Sequence, residues 1–441
     1  MANMTPPPEK KVGLLTATSL VVGNMIASGV FMLPATLAIY GGISLVGWVV
    51  SSVGAISLAL VYGWLSKLRP NATGGPYAYV RDGMGDFAGY LVAWGYWISV
   101  WATNAAIAVA FVSYLGEFIP LISESSSAGI ITGLAAIWLL TFVNSMGIRE
   151  AGFVQVITTV LKIAPLLLIS IGGLFYVNSD HFTPFNTSTE SDWSAITAST
   201  TLTLFAFLGL ECATIPSENI SNPEKTIARA TVIGTLLTMV IYVLGTVAVM
   251  GILPPEVLKT SKAPFADAAS MIWGQPGRYL VAAGAVIATF GALNGWILIQ
   301  GQMPMAASRD NLFPKLFKKE SKNGTPVLGI VVSSVLVSVL MGMNFSRSLA
   351  DTYKYMILLA TMTALLSYVL SMPSYVILHS KDKTLEKTDW VRIVVTIVGF
   401  VFSMWAIIGS GEVIVYWGFI LLMAGLPFYA VMKLRRKAVI P

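Results

Sequence analysis

Two ionisable side chains stand inside long apolar runs of this 441-residue chain, Glu211 in FAFLGLECATIP and Lys162 in VQVITTVLKIAPLLL. An acid near the centre of a bilayer costs about 2.5–3.5 kcal/mol on insertion scales, so one that is kept there is read as functional. A rise of 1.5 Å per residue from the Arg149 loop carries Lys162 deeper than a snorkelling side chain reaches. The chemistry open to such groups is ion binding, proton coupling or gating. It is not the chemistry of turnover: the sequence has no paired acids at catalytic spacing and no HExxH, GxSxG or Walker loop. Cys212 is the only cysteine, and His181 and His379 lie far apart with no metal-ligand spacing. The chain is therefore read as no enzyme, with no cofactor and no metal.

The segments that must position these groups are damaged helices. VVGNMIASGVFMLP, Val21 to Pro34, is apolar enough to cross a membrane but carries Gly23, Asn24, Ser28 and Gly29 and ends in proline. A second run, TLFAFLGLECATIPSENISNPEK, holds Gly209, Glu211 and Pro216. Small-residue helix contacts explain one such helix. Two breaks about five spans apart, one with a carboxylate, match the interrupted segments that mark the binding site of inverted-repeat transporters. Unwinding frees backbone N–H and C=O groups, tolerable at membrane depth only where they line a polar cavity.

Composition fixes the setting. The chain is 56% hydrophobic and 11% charged, against about 25% charged in an ordinary soluble domain. Apolar runs predict about twelve spans, at 13–39, 42–66, 87–118, 127–145, 151–176, 196–218, 227–252, 277–306, 326–344, 353–378, 391–409 and 412–432. The N-terminus enters the first span without a cleavage site, so no removable signal peptide is expected. Most of the 27 Lys and Arg fall in alternate loops, which puts both termini in the cytoplasm. The net charge of +6 is spread over these loops rather than along one element, which speaks against nucleic acid. The loop 178–193 is read as solvated, and 310–326 as holding a short interfacial helix anchored by Leu312, Phe313, Leu316 and Phe317.

GNMIASGVFMLPATLA (23–38), GGPYAYVRDGMG (74–85), YWISVWATN (96–104), FAFLGLECA (205–213), NPEKTIARA (222–230) and NGWILIQGQMPMAASRDNLFP (294–314) together resemble the amino acid–polyamine–organocation transporters. The resemblance spans nearly the whole chain and is strongest to the bacterial basic amino acid/polyamine antiporters of the arginine/agmatine type. It implies an all-α membrane protein of about 12 helices. A cytoplasmic tail, 1–12, precedes a ten-helix 5+5 inverted-repeat core, 13–378, with helices 1 and 6 broken. Two further helices, 379–432, and a cytoplasmic tail, 433–441, complete the chain. It also implies residence in the cell (inner) membrane, a small amino acid or amine as partner, and a possible homodimer.

By the same resemblance, Ser28 and Gly29 hold the substrate carboxylate, and backbone groups near Met25 and Leu208 meet its ammonium. This division suits a half-helix whose N-terminus offers free N–H groups and unwound carbonyls that accept from a cation. Trp296 stacks on the cationic side chain, worth about 2 kcal/mol when desolvated. Asn104 touches the distal end of the substrate or else makes an interhelical hydrogen bond. Glu211, Tyr96 and Tyr368 link spans six, three and ten as an inner gate, with Phe205 and Trp296 gating above. Tyr77, Lys162 and Glu211 are the candidates for pH sensing or ion coupling. Phe205 replaces a tryptophan, Ala360 a serine that touches guanidinium, and Lys162 belongs with proton-linked relatives. The leading expectation is exchange of a basic amino acid for its decarboxylated amine. The alternative, favoured by Lys162 and Ala360, is proton-coupled or exchange transport of neutral amino acids.

Overall fold

The computed structural model describes residues 12–70, 72–147, 152–215, 217–344, 347–381 and 390–437. The N-terminal tail 1–11, Arg149, Pro216, the loop 382–389 and the end of the C-terminal tail, 438–441, lie outside the described residues. Among the described residues, ten helices are long and apolar enough to cross a membrane, and two shorter apolar helices stand in the fifth and ninth places. Among the described residues there is no strand, only an isolated bridge between Val12 and Ile220.

Span one consists of Leu14–Met25 and Gly29–Leu37, span two of Ser44–Leu68, span three of Asp86–Leu115 and span four of Ser126–Ser145. Span five is Gly152–Gly172, span six begins as Asp192–Leu204 and continues in short turns to Thr214, and span seven is Pro223–Ile252. Span eight lies within Pro264–Arg309, span nine is Val327–Met343, span ten Leu349–Lys381 and span eleven Trp390–Gly409. Span twelve comprises Glu412–Met423 and Leu426–Lys437. Spans one, three and six are almost wholly enclosed by protein, whereas eleven and twelve are mostly exposed on the outside of the bundle. Apolar helices gain little from burial against one another in lipid, so close packing at small residues and side-chain hydrogen bonds must join them. Gly29 is such a contact: a Cβ there would lie 3.1 Å from Ala206, so the breaks of spans one and six touch through a residue with no side chain.

Span eight is preceded by a separate short helix from Pro264, which Gly274 (φ 66°) breaks sharply before the helix expected from 277 begins. One expectation changes: the interfacial helix of the 310–326 loop is only a four-residue turn, Lys315–Lys318. Leu312 and Phe313 are buried in the protein, Phe313 and Phe317 pack edge-on against Trp97, and Leu316 alone of the four is exposed. The loop is anchored by protein core rather than by lipid.

The loop 178–193 is largely exposed, as its composition implies, but it is also tied to the corner between spans one and two. Ile43 N–H donates to the Phe185 carbonyl at 2.7 Å, and Thr187 N–H to the Tyr40 carbonyl at 3.1 Å. At the opposite end of the bundle, Ser221 N–H donates to the Val12 carbonyl at 2.9 Å, and Gly74 N–H to the Ile215 carbonyl at 3.0 Å. The start of span one, the segment after span six and the loop after span two are thus bound to one another.

Candidate functional site

The first half of span one stops at Ile26 (ψ 82°), and helix resumes at Gly29. The end of any helix leaves carbonyls without intrahelical donors, and its start leaves N–H groups without acceptors. Here the two sets are treated differently. Three of the carbonyls are taken by side chains from three other spans, whereas those of Ile26 and Ala27 accept nothing among the described residues. Lys162 of span five donates to Gly23 O at 3.4 Å, Trp296 Nε1 of span eight to Asn24 O at 3.0 Å, and Tyr242 of span seven to Met25 O. The N–H groups of Ser28, Gly29, Val30 and Phe31 have no acceptor among the described residues, and the buried Ser28 hydroxyl has no partner either. N–H groups left free at the positive end of a helix dipole can receive an anion.

Span six breaks directly against this point. Its helix tightens into a turn at Phe205–Phe207, Leu208 is extended (φ −60°, ψ 134°), and Gly209 takes φ 100°, which a residue with a side chain adopts only at a cost. A Cβ at Gly209 would press on Trp296 at 3.2 Å and touch Asn24 at 3.5 Å, so both breaks and span eight converge here. The Leu208 carbonyl accepts nothing among the described residues. Phe205 lies edge-on to Tyr353 with ring centroids 6.2 Å apart.

Beyond Gly209 the fully buried Glu211 carboxylate accepts from Tyr96 at 2.7 Å and from Tyr368 at 3.0 Å. One carboxylate so joins spans six, three and ten, each oxygen taking one phenol. Charge-assisted bonds of this kind are roughly twice as strong as neutral ones. Tyr62 continues the cluster, 6.0 Å from the Tyr368 ring and 3.1 Å from Ser371 Oγ.

The remaining residues named from sequence are distributed as follows. Asn104 is buried and its amide nitrogen donates to Gln300 Oε1 at 2.6 Å, an interhelical bond, while its own Oδ1 has no partner. Ala360 is buried in span ten and presents only a methyl group. Lys162 is 2% exposed and lies beside Gly291 of span eight as well as Gly23. Tyr77 is elsewhere, in the short helix Pro76–Met84, where its hydroxyl donates to Asp310 at 3.0 Å and Arg81 pairs with the same carboxylate. Burial, then the Asp310 charge, pushes the Tyr77 phenol well above its ordinary pKa. It stays protonated and donates.

Sequence reasoning missed Tyr242, Tyr353, Gln300 and Asp310. Tyr242 and Gln300 carried the available signal, a buried hydrogen-bonding group in an apolar run, but nothing in the sequence named their partners. The Met25 carbonyl, expected to meet a ligand ammonium, already holds Tyr242.

Comparison with known proteins bears on what such a site serves. The chain matches the amino acid permease family model over residues 12–421. It is 33% identical to the cadaverine/lysine antiporter of Escherichia coli over 427 residues, 96% of this chain and 95% of that protein. It is 32% identical to the arginine/ornithine antiporter of Pseudomonas aeruginosa, covering 91% of this chain and 86% of that one. It is also 32% identical to the putrescine transporter PotE of Haemophilus influenzae, covering 95% and 96%. With full-length similarity of this degree, and paired breaks in a bundle of apolar helices, the chain belongs to the amino acid permease family.

Proposed function

We propose that this protein is a secondary active antiporter that exchanges a basic amino acid for its decarboxylated amine, as between lysine and cadaverine or arginine and agmatine, by alternating access. The observation that carries the reading is the span-one break itself, where the N–H groups of Ser28 to Phe31 are free while side chains hold the carbonyls of Gly23, Asn24 and Met25. A carboxylate binds the N–H groups of Ser28 to Phe31, with the Ser28 hydroxyl, while the distal cation lies against Trp296 and the Asn104 oxygen. The ammonium at the α-carbon meets the Leu208 carbonyl rather than that of Met25. The names of the similar proteins, all carriers of basic amino acids or diamines, favour the same substrates. Preloaded proteoliposomes test it. Labelled lysine or arginine accumulates against an internal basic amino acid or diamine and not against alanine or serine; accumulation against alanine and serine alone would instead favour a neutral amino acid carrier, the reading to which Ala360 and Lys162 point.

In this reading, 13–378 is the transport core, two five-helix repeats of opposite topology, and 379–432 flank it. Both termini are cytoplasmic, the membrane is the bacterial inner membrane, and two copies associate as a dimer. Glu211 with Tyr96 and Tyr368 closes the path below the substrate, the Tyr77–Asp310–Arg81 cluster closes it at the cytoplasmic end, and Phe205 and Trp296 close it above.

Trp296→Leu deletes an aromatic face worth about 2 kcal/mol to a desolvated cation. It also removes the donor to Asn24 O, an effect blind to the substrate's charge. Binding of arginine or lysine weakens about 30-fold and that of alanine by much less, as calorimetric titration will read. Equal losses would count against a cation site on the indole.

Lys162 stands as a fixed brace on the Gly23 carbonyl. Lys162→Ala slows exchange about tenfold or more at every pH, and exchange by the unaltered protein does not respond to an imposed proton gradient. Gradient-driven uptake that disappears in Lys162→Ala would make the lysine a proton carrier instead.

A further inference from the structure

The Asn104 side chain is ambiguous by itself. An amide can present either its carbonyl oxygen or its NH2 group to a ligand, and the two look nearly alike in outline. Its surroundings remove the ambiguity. Gln300, buried in span eight one helical turn beyond Trp296, has its amide nitrogen 3.1 Å from the Ile330 carbonyl and 2.8 Å from Ser334 Oγ. A backbone carbonyl only accepts, so the Gln300 NH2 must face Ile330, and its Oε1 must face the other way. That oxygen meets Asn104 at 2.6 Å and needs a donor, so Asn104 turns its NH2 toward Gln300. The Asn104 Oδ1 is then the group left over, buried and without a partner.

We propose that Gln300 is a positioning residue that sets the polarity of the cation subsite: by engaging the Asn104 NH2, it obliges Asn104 to offer an acceptor, and so selects substrates ending in an ammonium or guanidinium. The inference rests on the reading above, in which Asn104 faces the distal end of the substrate. A buried carbonyl oxygen with no donor costs about 1–3 kcal/mol, a penalty that a cationic ligand end relieves and an alkyl end does not. The opposite amide orientation would set N–H dipoles against the cation. Trp296 supplies attraction to positive charge from the same helix face, since residues four apart on a helix are neighbours. Ser334 also bonds Thr141 at 2.6 Å, but as a hydroxyl it can donate or accept and does not fix the direction; the Ile330 carbonyl does.

The test compares lysine with norleucine, which has the same chain without the terminal ammonium, by calorimetric titration of the purified full-length protein. The unaltered protein binds lysine much more tightly. In Gln300→Leu the ratio of the two affinities falls about tenfold, because Asn104 is free to turn either way. Gln300→Met keeps the chain length and carries the same expectation should the leucine variant fold poorly. In an Asn104→Ala background the ratio is already low, and Gln300→Leu lowers it no further. Ser334→Ala leaves the ratio unchanged. Equal weakening of lysine and norleucine would reduce Gln300 to a packing residue and overturn the proposal, as would a further tenfold fall in the Asn104→Ala background. No preference for lysine in the unaltered protein would overturn the cationic-substrate reading itself, a result distinct from failure of the Gln300 variants alone.

Discussion

Ser28→Lys abolishes exchange in a protein that still inserts into the membrane. Ser28 is fully buried and stands at the start of the half-helix Gly29–Leu37 without capping it, so the first N–H groups have no acceptor. Beside it Gly29 lies so close to Ala206 that a single Cβ would stand at 3.1 Å, so the break is tightly packed and a buried lysine side chain at position 28 must displace its surroundings. There its ammonium faces the positive end of a helix dipole, where a cation is disfavoured and an anion should bind. Uptake into proteoliposomes, with the amount of reconstituted protein measured in parallel, reads the loss. Normal uptake by a correctly inserted variant would remove the carboxylate site from the span-one break.

Glu211→Gln slows exchange about 10- to 100-fold and changes substrate affinity little. The carboxylate accepts one phenol on each oxygen, from Tyr96 at 2.7 Å and Tyr368 at 3.0 Å. A glutamine has one oxygen and an NH2 group that only donates, so it can keep one phenol in its present role and must turn a donor toward the other. A hydrogen bond to a charged group contributes about 1.5–3 kcal/mol, and each 1.4 kcal/mol is tenfold, which sets the range. The loss falls on rate because the three residues join spans six, three and ten rather than touching the proposed carboxylate or cation positions. Unchanged exchange with lost binding would make Glu211 a substrate ligand.

Both break points were legible because they violate what a lipid-spanning helix tolerates. Gly209 and Gly29 are conspicuous in apolar runs, and the structure shows a reason at each: a positive φ at one and a close approach to Ala206 at the other. Glu211 and Lys162 were legible because charge in lipid is expensive. The partners were not. Tyr242 to Met25, Gln300 to Asn104 and Asp310 to Tyr77 are pairs between distant parts of the chain, and packing of several spans decides which polar groups meet. The orientation of an amide, or which carbonyl of a broken helix is already taken, follows from that packing and from nothing local.

The central claim is that the paired breaks hold one substrate at a time and that the path reopens only around another. The most direct test is efflux of labelled lysine from proteoliposomes. With cadaverine outside, the account predicts rapid loss of label with one amine entering for each lysine leaving. Into buffer alone, or into buffer with alanine, label should remain inside. Efflux that is equally fast in the absence of any external amine or basic amino acid would contradict exchange and make the protein a uniporter or a channel.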